Sequence, residues 1–144
     1  MKLNLTILFL LSCFASFGQT AFNEIAIVQN KTGFSNGRLK DVQNVFSGKY
    51  SQWPLTKETT TIVLPSSKCA SAKISAAVIY KSSVKDVQKY WLSLVFQGRA
   101  NPPVFLDSDA EIIAYVLKTP GAIGVIAAES RKTVENKYLF LFVE

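Results

Sequence analysis

Short apolar, β-branched runs alternate along this chain with stretches whose apolar residues recur at helical spacing, and that alternation admits few folds. Glu24 to Gln29 (EIAIVQ), Thr59 to Leu64 (TTTIVL), Ala122 to Ala127 (AIGVIA) and Tyr138 to Val143 (YLFLFV) have strand length and composition, and Val104 to Leu106 adds a shorter run. Arg38 to Ser47 carries Leu39, Val42, Val45 and Phe46 at helical spacing, with Ser35 or Asn36 as cap and Gly48 as stop. Ala70 to Tyr80 repeats the pattern more weakly. In Val84 to Phe96 it is strong: Val84, Val87, Tyr90, Trp91, Leu94 and Val95 form one stripe, opened by a Ser83-x-x-Asp86 capping box and followed by Gly98. Ser108-Asp109-Ala110-Glu111 opens a last helix through Ile112, Ile113, Tyr115, Val116 and Leu117, which Pro120-Gly121 ends. The order strand, helix, strand, helix, helix, strand, helix, strand, strand predicts an α/β domain with a mixed sheet.

Residues 1–18 do not belong to that pattern. They carry one charge, Lys2, then the apolar run Leu5 to Leu11, then small and polar residues up to Gly18. This is the layout of a secretory signal, too short and wrongly flanked for a stable membrane span. Cleavage after Gly18, with Ser16 at −3, leaves Gln19 as the first residue of the domain, which then runs over 19–144 with no linker or repeat. The competing cut precedes Cys13, where Leu10-Leu11-Ser12-Cys13 is an imperfect lipobox. The expected location is periplasmic or secreted. If Cys13 leaves with the signal, Cys69 is the one remaining thiol and an intrachain disulfide is impossible.

Composition narrows the chemistry. The chain has no His, which excludes His-based acid–base catalysis, Ser-His-Asp triads and His-ligated zinc, and two Cys cannot build a four-thiolate site. Most familiar hydrolase and metalloenzyme chemistries are thereby removed, and no catalytic residue, metal or cofactor is expected. Lys31 to Arg99 holds eleven basic and three acidic residues, whereas the chain from Ala100 onward holds four basic and six acidic. An anionic partner is drawn to the first part, although Lys40, Lys73, Lys81, Lys85 and Lys89 also suit solvated helix faces. No basic cluster interleaved with exposed aromatics points to nucleic acid.

Two junctions between a strand and a helix offer unpaired N–H groups beside hydroxyl side chains, the ingredients of an anion site. They are Thr32-Gly33-Phe34-Ser35-Asn36-Gly37 and Ser66-Ser67-Lys68-Cys69-Ala70-Ser71. In an open α/β sheet both are expected at one edge, where ligands bind. Ordinary helix capping is the competing account. The acids Asp107, Asp109 and Glu111 sit where a helix dipole favours negative charge and read as capping groups. Trp53 and Trp91 read as core, Cys69 as a small buried residue, and Arg99 as able to reach an anion or to pair with Asp107 or Asp109.

A family resemblance sharpens this. Ile25 to Lys31, then Leu39 through Val45-Phe46-Ser47-Gly48-Lys49 to Trp53, resembles the strand-"NK"-helix-"iFxGk…W" pattern of the substrate-binding proteins of phosphate ABC transporters. Tyr90-Trp91, Val95-Phe96-Gln97-Gly98-Arg99, Pro102-Pro103 and Pro120 to Val125 resemble "yW…iFtGrgxpP" and "pGaIGyv" of the short, single-domain members of that group, in the same order, over residues 25–128. The resemblance implies a single three-layer lobe of the periplasmic-binding-protein type II kind, where the family's full-length members close two lobes on an oxyanion. It carries Ser66, Ser67 and Ser71 over as hydroxyl donors and puts Lys68 in place of an arginine, whose planar fork a lysine does not offer. With the first loop, the expected ligand-binding set is Thr32, Gly33, Ser35, Ser66, Ser67, Lys68 and Ser71. The expected ligand is phosphate or a related oxyanion, held without turnover for transport or sensing. The second half of the site would come from a homodimer, from another protein, or not at all. The alternative is a ligand-free interaction module docking on a porin, a transporter or a sensor.

Overall fold

The computed structural model describes residues 24–143; the expected signal, both processing sites and Gln19 lie outside the described residues. The chain runs β1 (Ile25–Gln29), β2 (Asn36–Gly37), α1 (Leu39–Phe46), β3 (Thr61–Pro65), α2 (Ala72–Ser75, prolonged by a π-helical turn over Ala76–Tyr80), α3 (Val84–Phe96), β4 (Val104–Leu106), α4 (Asp109–Lys118), β5 (Ala122–Ala127) and β6 (Leu141–Phe142). The main sheet has the order β1-β5-β3-β4. Its β3, β4 and β5 are parallel and β1 is antiparallel to β5, so the sheet is mixed.

Alternation within each strand divides the core into two sides. Ile25, Ile27, Ile62, Leu64, Ile123 and Val125 face α1, α2 and α3 through Val42, Phe46, Ile79, Val87, Trp91 and Leu94. Ala26, Val28, Val63, Ala122 and Ile126 face α4 through Ile112 and Val116. This is the expected three-layer α/β architecture. Gly124 sets the spacing of the second side: a Cβ there would lie 2.8 Å from Ile112 Cγ2, so its absence lets α4 press onto β5.

Where the structure departs from the sequence pattern, local chemistry explains it. Ser35 and Asn36 do not cap α1; Asn36 and Gly37 form β2, and the Asp41 carboxylate accepts the Arg38 N–H at 2.8 Å. The weak pattern at Ala70 to Tyr80 becomes a helix that starts at Ala72 and widens into the π turn, closed by Lys81 at φ 52°. The widened turn leaves the Val78 carbonyl to accept from Gln43 Nε2 at 3.1 Å. Tyr138 to Val143 is not a strand of the main sheet. Asn136–Tyr138 is a 3₁₀ turn, and Leu141–Phe142 pairs in parallel with β2 as a separate ribbon.

The end of α1 is held by side chains from elsewhere. Its final carbonyls lack intrahelical donors, and Phe46 O accepts from the Tyr80 hydroxyl at 2.8 Å while Ser47 O accepts from Tyr90 at 2.7 Å. Trp91 Nε1 donates to the Tyr80 oxygen at 2.9 Å, tying the three helices together. Asn30 does the same for α4: its buried Nδ2 donates to Val116 O at 3.0 Å and Leu117 O at 3.2 Å.

Candidate functional site

Parallel strands deliver their C-terminal ends to one edge, and in open α/β sheets that edge is where ligands sit. Here the loops after β3, β4 and β5 converge there, and Glu24, just before the antiparallel β1, joins them. They enclose an open cleft of about 580 Å³, lined by Lys68, Cys69, Ala70 and Ser71 from the first loop, Asp107 to Asp109 from the second, and Ala127, Glu129 and Ser130 from the third.

Asp109 is the hub. Its Oδ1 accepts from Ser71 Oγ at 2.6 Å; its Oδ2 accepts from Ser130 Oγ at 2.7 Å and from the Ala127 N–H at 3.0 Å. Ser66 Oγ donates to Asp107 Oδ1 and accepts the Lys68 N–H at 3.2 Å. Cys69 is buried behind the loop, its Sγ 3.2 Å from Ser71 Oγ and 3.6 Å from Asp109 Oδ1. Lys68 reaches the rim with its ammonium exposed, and Ser67 is exposed as well. Four carboxylates, Glu24, Asp107, Asp109 and Glu129, face this space with one ammonium, so the cleft is acidic although the chain is basic.

Capping does not account for Asp109. The N-cap of α4 is Ser108, whose Oγ accepts the Glu111 N–H at 3.2 Å, while Glu111 Oε2 accepts the Asp107 N–H at 2.9 Å. With Ser108 as the N-cap and Glu111 turned back to the Asp107 N–H, Asp109 is free to turn toward the cleft. Sequence reading missed both Asp109 and Ser130 as site residues. The available signal was positional: each lies just past the C-terminal end of a parallel strand.

The loop at Thr32 does not take part. Because β1 is antiparallel, Gln29 pairs beside Ile123 near the start of β5, at the edge opposite the cleft. The expectation that both loops share a site is thereby corrected. Thr32 is buried, its Oγ1 donating to Gln29 Oε1 at 2.7 Å and accepting the Phe34 N–H at 3.0 Å. Gly33, at φ +71°, packs against Leu55, and the Ser35 carbonyl accepts from Leu141 N at 2.8 Å. A smaller cleft of about 240 Å³ lies here, walled by Phe34, Tyr50, Trp53 and Leu55. Trp53 and Trp91 are core residues as expected, each 2% exposed. Arg99 pairs with neither Asp107 nor Asp109; its Nη1 donates to Gln97 Oε1 at 3.3 Å.

The chain matches no protein-family model and no curated protein. Solved structures do match. PstS from Borrelia burgdorferi superposes with a TM-score of 0.58 at 12% identity, covering 83% of this chain and 47% of that one. An ABC-type phosphate transport receptor from Vibrio cholerae superposes with a TM-score of 0.51 at 15% identity, covering 83% of this chain and 46% of that one. The fold is of the periplasmic-binding-protein type II kind. This lobe spans less than half the length of either solved structure. Among the described residues no helix is long and apolar enough to cross a membrane.

Proposed function

We propose that the chain is an exported solute-binding lobe that holds hydrogen phosphate, or a related protonated oxyanion, at the edge bounded by Ser66, Ser71, Asp109 and Ser130. The observation behind this reading is the convergence of three serine hydroxyls on two carboxylates where the parallel strands end. Hydroxyls rotate, so Ser66, Ser71 and Ser130 can each turn a proton from a carboxylate to a ligand oxygen. Ionised carboxylates only accept, so a ligand beside Asp109 must bring a proton of its own. Phosphate near neutral pH carries one or two and sulfate has none. Exposed Ser67 and Lys68 add a hydroxyl and one positive charge at the rim. Binding proceeds without turnover and serves transport or sensing. Export relies on the signal over 1–18, cut after Gly18 or, for a lipid-anchored form, before Cys13.

A second reading is favoured by the same hydrogen bonds. Each serine is already satisfied by a carboxylate, and the excess of carboxylates opposes an anion; a lobe that kept the fold and docks on an envelope partner needs no ligand there. Calorimetric titration of the chain from Gln19 with phosphate and with sulfate separates the two. The binding reading expects saturable heat at millimolar phosphate, little with sulfate, weakening in Ser71→Ala and loss of the phosphate preference in Asp109→Asn. Absence of saturable heat with either anion leaves the interaction reading.

A further inference from the structure

The outward face of α3 has a composition that a solvated helix does not require. Val87, Trp91 and Leu94 are buried, and the residues on the opposite side are Lys85, Lys89, Leu92 and Phe96. Steps of four, three and four residues keep these on one line along the helix. Phe96 is 83% exposed and Leu92 59%, with the two lysines exposed beside them. The one acid of α3, Asp86, lies off that line at the first turn, where its N–H donates to Ser83 Oγ and its carboxylate accepts from Ser82. Among the described residues neither Lys85 nor Lys89 forms an ion pair. None of these residues lines the Asp109 cleft.

We infer that this face docks the lobe reversibly on an anionic membrane surface. Two neighbouring apolar side chains flanked by unpaired ammonium groups match an interface that is negative at its headgroups and apolar beneath them. The face is a single convex helix, which a deformable lipid surface accommodates without a shaped partner. The charge of the line, basic with no acid, selects anionic over neutral lipid. Two apolar residues and two lysines give a weak, salt-sensitive association and not a permanent anchor.

The test is flotation of the chain from Gln19, which holds every described element, with vesicles of phosphatidylglycerol and phosphatidylethanolamine in equal parts, and with phosphatidylcholine vesicles. The expected result is partitioning onto the anionic vesicles that falls with added salt and is absent on phosphatidylcholine. Lys85→Glu with Lys89→Glu, and separately Leu92→Ser with Phe96→Ser, should each reduce it by about tenfold or more, with unchanged circular dichroism. Equal binding to both lipids, or binding that either pair of substitutions leaves intact, overturns the proposal. So does a wild-type chain that binds neither vesicle; if it self-associates through Phe96 instead, the face is a protein interface.

Discussion

Single side chains and single glycines fix several distances in this lobe that no neighbour can make up. Asn30 is a side-chain donor for the last carbonyls of α4, and its own backbone N–H donates to Ala122 O while its carbonyl accepts from Gly121 N–H. Asn30→Ala removes the side-chain donor from Val116 O, which keeps the Thr119 N–H, and from Leu117 O, and is expected to cost about 1 kcal/mol, read as a lower urea midpoint with unchanged slope. Gly121, at φ +86°, has no room for a side chain: a Cβ would fall 2.2 Å from Thr59 O. Gly121→Ala should therefore lower stability by more than about 2 kcal/mol. Tyr80 makes stability depend on alkaline pH. Burial pushes its phenol well above the usual 10.0, against the smaller opposite effect of the Trp91 N–H it accepts. Below pH 10 both folded and unfolded chains keep the proton and its contribution is whole. Above that value the unfolded chain releases it first, so stability falls as pH rises. Denaturant titrations on either side of about pH 10 should show this fall in the wild type and a flatter profile in Tyr80→Phe.

Elements show what periodicity can and cannot convey. Helices α3 and α4 were legible with their caps because both signals are local: an apolar stripe and a serine three residues before an acid. Ser108→Ala is expected to cost about 1 kcal/mol and also to weaken phosphate binding, since the first turn of α4 aims Asp109; paired unfolding and titration measurements check both. The direction of β1 was not legible. EIAIVQ is an equally good strand either way up, and the pairing partners that decide it are about a hundred residues away, Ile25 beside Ala127 and Gln29 beside Ile123. That reversal removed Thr32, Gly33 and Ser35 from the site. YLFLFV misled for a related reason: its composition suits a strand, but β1 is crossed at this end through the single bridge of Val28 with Leu139, and the residues that follow pair with β2 instead. The loop at Ser66 to Ser71, legible by its resemblance and its hydroxyls, does line the cleft through Lys68 and Ser71, whereas the turn of Asp109 toward that cleft was hidden by its position just after the N-cap Ser108.

At the scale of the molecule, charge is segregated: carboxylates gather where the parallel strands end, while Lys40, Lys81, Lys85 and Lys89 stand exposed on the helices of one face. Two copies facing each other across the clefts would bring eight carboxylates together against two lysines, so phosphate alone is not expected to draw the lobes into a dimer. Sedimentation should report a monomer with and without millimolar phosphate, and a phosphate-dependent dimer would require cations that the described cleft does not hold. The upside-down first strand has a practical side too. Because β1 begins at the edge where the others finish, whatever is attached ahead of Glu24 emerges at the mouth of the cleft, whereas the last described residue, Val143, leaves beside Gly37. A dye coupled at position 24 would sit in the cleft wall and report the arrival of the proposed phosphate, while a bulky group placed there would shade it.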